Sequence, residues 1–160
     1  MLIREATADD WPAIWPFWHR IVAAGETYAW DPHTTEEQAR ALWTGPGKRV
    51  LVAEDDTGTV VASAYVTPNY GGPAARIANA AFMVDPDHAG RGAGRALAEH
   101  VLAAARADGY RGMVFNAVVE TNPAVKLWTS LGFTVLGTVP EAYEHPRHGP
   151  VGLHIMYRAL

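Results

Sequence analysis

Cysteine is absent from the 160 residues. That excludes a disulfide framework, a Cys-based zinc site, a cysteine nucleophile and an acyl-cysteine intermediate. It also agrees with a cytoplasmic location. Serine is scarce: Ser63 and Ser130 are the only two. Neither sits in a Gly-x-Ser-x-Gly turn, which argues against a serine hydrolase. No positive charge excess exists, because 13 Lys+Arg face 17 Asp+Glu for a net charge of −4. No nucleic-acid or anionic-membrane partner is therefore expected. Long apolar runs are missing too. Val60-Val61-Ala62 is interrupted at once, so no transmembrane helix is expected. Met1–Glu5 reads as a strand and lacks the apolar centre of a signal peptide. The closest histidine pair, His145 and His148, lies in a Pro-rich segment with no Glu-x-x-His neighbour, so no metal is expected.

What remains is a chain with 49% hydrophobic residues and six tryptophans. Its length fits one domain over residues 1–160, large enough to bury roughly 68–70% of its unfolded surface. Most of the tryptophans are expected in the core. Hydrophobic periodicity and turn residues give an element order along the chain. A strand at 2–6 precedes a helix opened by Thr7 and Asp10 and running to about Ala24, with Pro12 and Pro16 expected to bend or delay it. Thr35 with its following acidic residues opens a second helix to Trp43. Strands follow at 49–54, 59–67 and 76–84, then a helix from about Gly92 to Ala107 and a strand at 112–119. Asn122-Pro123 starts a helix ending at Gly132, and strands at 133–139 and 151–158 close the order. The fold class is α/β, a mixed sheet with helices on both faces.

The most informative stretch is Val84-Asp85-Pro86-Asp87-His88-Ala89-Gly90-Arg91-Gly92-Ala93-Gly94-Arg95. A strand ends, glycines alternate and a helix starts. Glycines let the backbone turn sharply and leave no Cβ between amides and a ligand. First-turn N–H groups point outward at the positive end of the helix dipole, a site suited to a pyrophosphate. Arg91 and Arg95 flank it and could pair with phosphate oxygens. A P-loop would need Gly-Lys-Ser/Thr where Gly94-Arg95-Ala96 stands. A Rossmann fingerprint from Gly90 would need glycine at Arg95.

The stretch resembles the acyl-CoA loop of the GNAT N-acetyltransferases, whose pattern is Gln/Arg-x-x-Gly-x-Gly/Ala. Gly92-x-Gly94 matches, and Ala89 stands where Gln or Arg is usual. Asn122-Pro123-Ala124-Val125-Lys126-Leu127-Trp128-Thr129-Ser130-Leu131-Gly132-Phe133 resembles the second GNAT signature. Pro68-Asn69, Ile77–Val84 and Phe115–Asn122 are similar to the branch that includes proline-analogue (azetidine-2-carboxylate) N-acetyltransferases. Val151-Gly152 departs from the Val-Asp often found there.

The resemblance implies that acetyl-CoA lies between strands 76–84 and 112–119. Main-chain groups of Phe82, Met83 and Val84 would hold its pantetheine arm, and Ala89, Gly90, Arg91, Gly92, Ala93, Gly94, Arg95 and Asn122 would complete the cofactor site. It implies catalytic and substrate-binding roles for Asn79 and Asn116. Glu26 and Tyr28 belong to the loop expected to wall the acceptor. Glu26, Tyr28, Glu120 and His154 are base candidates by type, beside a water relay through the asparagines. Trp128 replaces a Tyr general acid, and an indole gives up no proton at neutral pH, so packing is its expected role.

The expected function is transfer of acetyl to a small-molecule amine, an amino acid or toxic analogue, in a ternary complex. Protein N-terminal acetylation and a non-catalytic acyl-CoA sensor are the rivals. A homodimer through the final strands is a further expectation carried by the resemblance.

Overall fold

A computed structural model describes residues 1–160. Its elements are β1 (Leu2–Glu5), α1 (Trp11–Ala24), α2 (Glu36–Thr44), β2 (Arg49–Glu54), β3 (Val60–Pro68), β4 (Ile77–Val84), α3 (Ala93–Ala107), β5 (Gly112–Val119), α4 (Ala124–Ser130), β6 (Thr134–His145) and β7 (Gly149–Ala159). The strands form one mixed sheet in the order β1-β2-β3-β4-β5-β7-β6. Helices cover both faces, as the element order implied. No helix is long and apolar enough to cross a membrane.

Alternation along the strands builds two cores. Ala62, Ala64, Val66, Ala78, Ala80, Met113 and Phe115 pack beneath Leu97, Val101 and Trp128 of α3 and α4. On the other face, Val52, Tyr65 and Met83 pack against Trp11, Ile14, Trp18 and Val22 of α1 and Trp43 of α2. Trp43 Nε1–H donates to Ser63 Oγ at 2.9 Å, which satisfies both buried polar atoms. Pro12 occupies the first turn of α1, where its missing N–H costs nothing. Pro16 lies inside the helix, which continues through it to Ala24.

β4 and β5 are parallel neighbours only from Ile77↔Gly112 to Asn79↔Val114. Beyond that they part. β4 stays with β3 as far as Ala62↔Val84. β5 follows β7, with an irregularity between Phe115 and Val118.

The C-terminal hairpin is longer than the sequence suggests. On sequence grounds one strand ends at Val139 and the last starts at Val151, yet residues 140–145 and 149–150 belong to β6 and β7. β6 is an edge strand, so Pro140 removes no ladder donor that a neighbour needs. Its pairing is irregular between Val139 and Tyr143, where Glu141 adopts φ 53°. In the turn, His145 Nδ1 accepts from the N–H groups of Arg147 (3.1 Å) and His148 (3.2 Å). That arrangement needs an unprotonated Nδ1. Burial, with His148 and Arg147 adding to it, lowers the His145 pKa.

Arg4 joins β1 to the start of α1 through two 2.8 Å bonds to Asp10, and its Nε reaches Glu54 at 2.8 Å. Asp10 also accepts from the Thr7 N–H at 2.7 Å. These donors, the Arg4 guanidinium first, hold the Asp10 carboxyl down at about 2 against 3.8 ordinarily. A depressed carboxyl contributes stability above its unfolded pKa and loses it as pH falls through the folded one. Asp10→Asn should therefore lower unfolding free energy at pH 7 by about 1–2 kcal/mol, since Arg4 is partly solvent-screened. In urea melts, the gap between parent and variant should close as pH falls from 3.8 to about 2.

Candidate active site

The gap between β4 and β5 has one open end and one apex. Ile77 O accepts from the Asn69 N–H and Asp85 N–H donates to Val61 O, each at 2.8 Å. Odd residues of β4 thus turn their main chain toward β3. Ala80, Phe82 and Val84 turn theirs toward the gap. Met83 does not: its main chain faces β3 and its side chain is buried in the α1/α2 core. Of the Phe82–Val84 trio, only Phe82 and Val84 offer main-chain groups to the gap.

At the open end, β4 runs into the glycine-rich turn. Gly90 and Gly92 adopt φ 77° and 87°, a region where a side chain is strained. A Cβ at either would meet nothing within 4 Å, so the turn's outer surface is bare backbone. Gly94 faces inward, and a Cβ there would lie 3.4 Å from Val84 Cγ2 and 3.8 Å from Leu127 Cδ2. This close approach seats the start of α3 against β4 and α4.

The N–H groups of Gly90 through Arg95 find no acceptor in the chain; the first to do so is Ala96, bonded to Gly92 O at 3.0 Å. Ala89 N–H is engaged with Pro86 O at 3.4 Å. Arg95 is tied along the surface to Ser130 Oγ at 2.8 Å and Glu99 at 3.6 Å. Arg91 is exposed and unpaired, which leaves its guanidinium free beside the turn. Asn122 Oδ1 accepts from Ala124 N–H at 2.9 Å, so the side chain caps α4 and keeps only its NH2 free.

Aromatic rings flank the gap on the α4 face. Trp128 lies 4.9 Å from the Phe82 ring and 4.8 Å from the Phe115 ring, and Phe115 stacks on Phe133 at 4.4 Å. Trp128 belongs to the α3/α4 core.

The opposite face carries the Glu26–Trp30 loop. Tyr28 stacks on Trp30 at 5.0 Å. Its hydroxyl donates to Phe82 O and accepts from Phe82 N–H at 3.2 Å. Burial pushes the phenol pKa up, so Tyr28 stays protonated near neutrality and serves as a hydrogen-bond group, not a base. Tyr143 O–H donates to Tyr28 O at 3.0 Å, and Arg147 pairs with Glu26. The β6–β7 hairpin is thereby strapped to the loop.

The apex holds the asparagines. Asn79 sits at the last paired position of β4. Asn116 is exposed on the β5 irregularity and donates from Nδ2 to Asn69 Oδ1 at 2.7 Å. Nothing in the local spacing signals that Asn69 meets a residue 47 positions away. Other base candidates are engaged: Glu120 Oε1 accepts from Gly152 N–H at 2.6 Å, and His154 Nδ1 meets Thr138 Oγ1 at 2.7 Å.

Comparison with known proteins gives a consistent picture. The family model described as "Acetyltransferase (GNAT) family" matches residues 9–133. A GCN5-related N-acetyltransferase from Kribbella flavida is 56% identical, with TM-score 0.95 over 99% of this chain and 97% of that one. A phosphinothricin acetyltransferase from Sinorhizobium meliloti, solved in complex with AcCoA, is 25% identical, with TM-score 0.86 over 99% of this chain and 88% of that one. N-acetyltransferase aca1 of Schizosaccharomyces pombe is 32% identical over 76% of this chain; the match spans 66% of that protein.

If bare amides at the turn hold the diphosphate, Gly92→Ala should weaken coenzyme A binding roughly tenfold. An Ala forced to positive φ costs about 1–2 kcal/mol and shifts the turn. Isothermal titration calorimetry measures the loss and needs no acceptor.

Proposed function

The chain belongs to the GNAT family of acetyltransferases, and from that premise we propose that it transfers acetyl from acetyl-CoA to the amine of a small molecule, an amino acid or a toxic amino-acid analogue. The observation that carries this is the pairing of a bare amide turn at the open end of the gap with asparagines at its apex. From Val84 back to Asn79 is about 17 Å of strand, the run an extended pantetheine arm would follow. Acetyl-CoA supplies the acetyl group and departs as its thiol.

The chain's own residues then have distinct tasks. Amides of Gly90–Arg95 with Arg91 hold the diphosphate. The Phe82 and Val84 main chains line the arm, and Phe82 N–H, given to the Tyr28 hydroxyl at 3.2 Å, would exchange that partner for a developing oxyanion. Such a donor is worth roughly 2.7–4 kcal/mol in a transition state. Asn79 and Asn116 position the acceptor, since a carboxamide both donates and accepts. The acceptor amine attacks directly, and its proton leaves through water at the asparagines. Trp128 packs; a thiol of pKa near ~8.5 leaves without an acid.

The strap from Tyr143 and Arg147 onto the 26–30 loop narrows the acceptor side, which supports a small acceptor over a protein N-terminus. The cytoplasm, which holds acetyl-CoA, is the proposed compartment. We also propose a homodimer through β6. This edge strand exposes Val135 (45%), Leu136 (63%) and Val139 (50%) beside an unpaired backbone.

A thiol-release assay tests the reaction, with a panel containing phosphinothricin, azetidine-2-carboxylate, other amino acids and a peptide with a free N-terminus. Turnover is expected on a small amine, with intersecting lines in two-substrate kinetics; parallel lines would exclude the ternary complex. Asn79→Ala and Asn116→Ala should each lose about tenfold or more in kcat/KM. Coenzyme A binding without turnover on any amine would favour the sensor instead. For the dimer, Leu136→Lys should shift the parent's sedimentation from two copies to one.

A further inference from the structure

The faces of three strands converge at the apex. Met113 and Phe115 of β5 belong to the α3/α4 core, so Asn116 points to the α1/α2 face. Met83 puts the odd residues of β4, Asn79 among them, on that same face, and Tyr65 does so for β3. Asn69 continues the β3 ladder through its N–H bond to Ile77 O. It therefore shares the face as well.

Register then fixes the arrangement. Asn69 lies level with Ile77, while Asn116 lies two residues beyond Val114, the partner of Asn79. Across β4, a 2.7 Å bond joins Asn116 on the β5 irregularity to Asn69 at the end of β3, on the face that Asn79 shares.

We propose that Asn69 is a positioning residue that fixes which way the Asn116 carboxamide faces the acceptor. This rests on the reading that Asn116 handles the acceptor. An unrestrained carboxamide can turn over, exchanging its oxygen and nitrogen. With one Nδ2 proton given to Asn69 Oδ1, Asn116 keeps its Oδ1 and its second N–H for the cleft. The oxygen can accept from an amine N–H, and the remaining N–H can donate to a carbonyl or carboxylate of the same acceptor. An α-amino acid carries both groups close together.

The test uses the full chain and the panel amine with the highest kcat/KM. Asn69→Ala should lower kcat/KM for the amine about tenfold. The acetyl-CoA Kd should stay within about twofold of the parent, which also reports an intact fold. Asp can only accept, so Asn69→Asp should retain activity within about threefold. The double variant with Asn116→Ala should be no worse than Asn116→Ala alone. In 15N–1H spectra, the hydrogen-bonded Asn116 Nδ2 proton should lie downfield in the parent and Asn69→Asp, and should return to the ordinary side-chain amide position in Asn69→Ala. That signal requires no acceptor.

Wild-type turnover by Asn69→Ala beside an impaired Asn116→Ala would overturn this proposal alone. So would an Asn69→Asp variant as poor as Asn69→Ala, or losses that multiply in the double variant. Wild-type turnover by Asn116→Ala would overturn the reading beneath it and this proposal with it.

Discussion

Everything in the site depends on the parting of two parallel strands. β4 and β5 share register for only three positions, ending at Asn79↔Val114. Past that point each strand has a stronger claim on its outer neighbour. Seven registered pairs bind β4 to β3 as far as Val84. β5 remains with β7 to Val119 despite its irregularity. The sheet's central seam is thus left with main-chain groups that no strand satisfies. On the α4 face the rings of Phe82, Phe115 and Trp128 fill the space beneath the seam, so closure would have to expel large buried side chains. Tyr28 answers the orphaned groups of Phe82 from the other face.

The electrostatics of the gap follow from the same geometry. Its two ends are polar in different ways. The open end presents N–H dipoles, concentrated by the start of α3, and one unpaired cation in Arg91. The apex presents neutral carboxamides. Charges near the acceptor side are already matched, Glu26 with Arg147 and Glu120 with the Gly152 N–H. The turn is therefore the end of the gap suited to an anion. The apex offers hydrogen-bond donors and acceptors without a fixed charge.

The element order and the glycine-rich turn were readable in the sequence because each depends on neighbours a few residues apart. Glycines at 90, 92 and 94 declare a turn and a close approach; helical spacing declares α3. The hairpin was only partly readable. Pro140, Pro146 and Pro150 signal a loop, but an edge strand tolerates proline because half its ladder faces solvent. Contacts that define the site lie beyond such local rules. Tyr28 meets Phe82 across 54 positions and Tyr143 meets Tyr28 across 115. The shared face of Asn69, Asn79 and Asn116 follows from alternation once register is known. Register itself depends on the β5 irregularity, for which no turn residue gives a sign.

Gly152 shows how a departure from a sequence pattern can be settled by space. The branch pattern that the chain resembles often has Val-Asp where Val151-Gly152 stands in this chain. A Cβ here would fall 2.6 Å from Thr138 Cγ2 and 3.1 Å from Glu120 Oε2. The acidic group beside β7 is supplied by Glu120 at the end of β5 instead. Its Oε1 accepts from Gly152 N–H at 2.6 Å, and its own N–H donates to Gly152 O at 3.0 Å. A charged acceptor makes the stronger kind of hydrogen bond. This two-point clasp fastens the free end of β5 to β7. The bare residue at 152 makes room for the carboxylate at 120, and the clasp between them seats the end of β5 on β7, on the side away from β4.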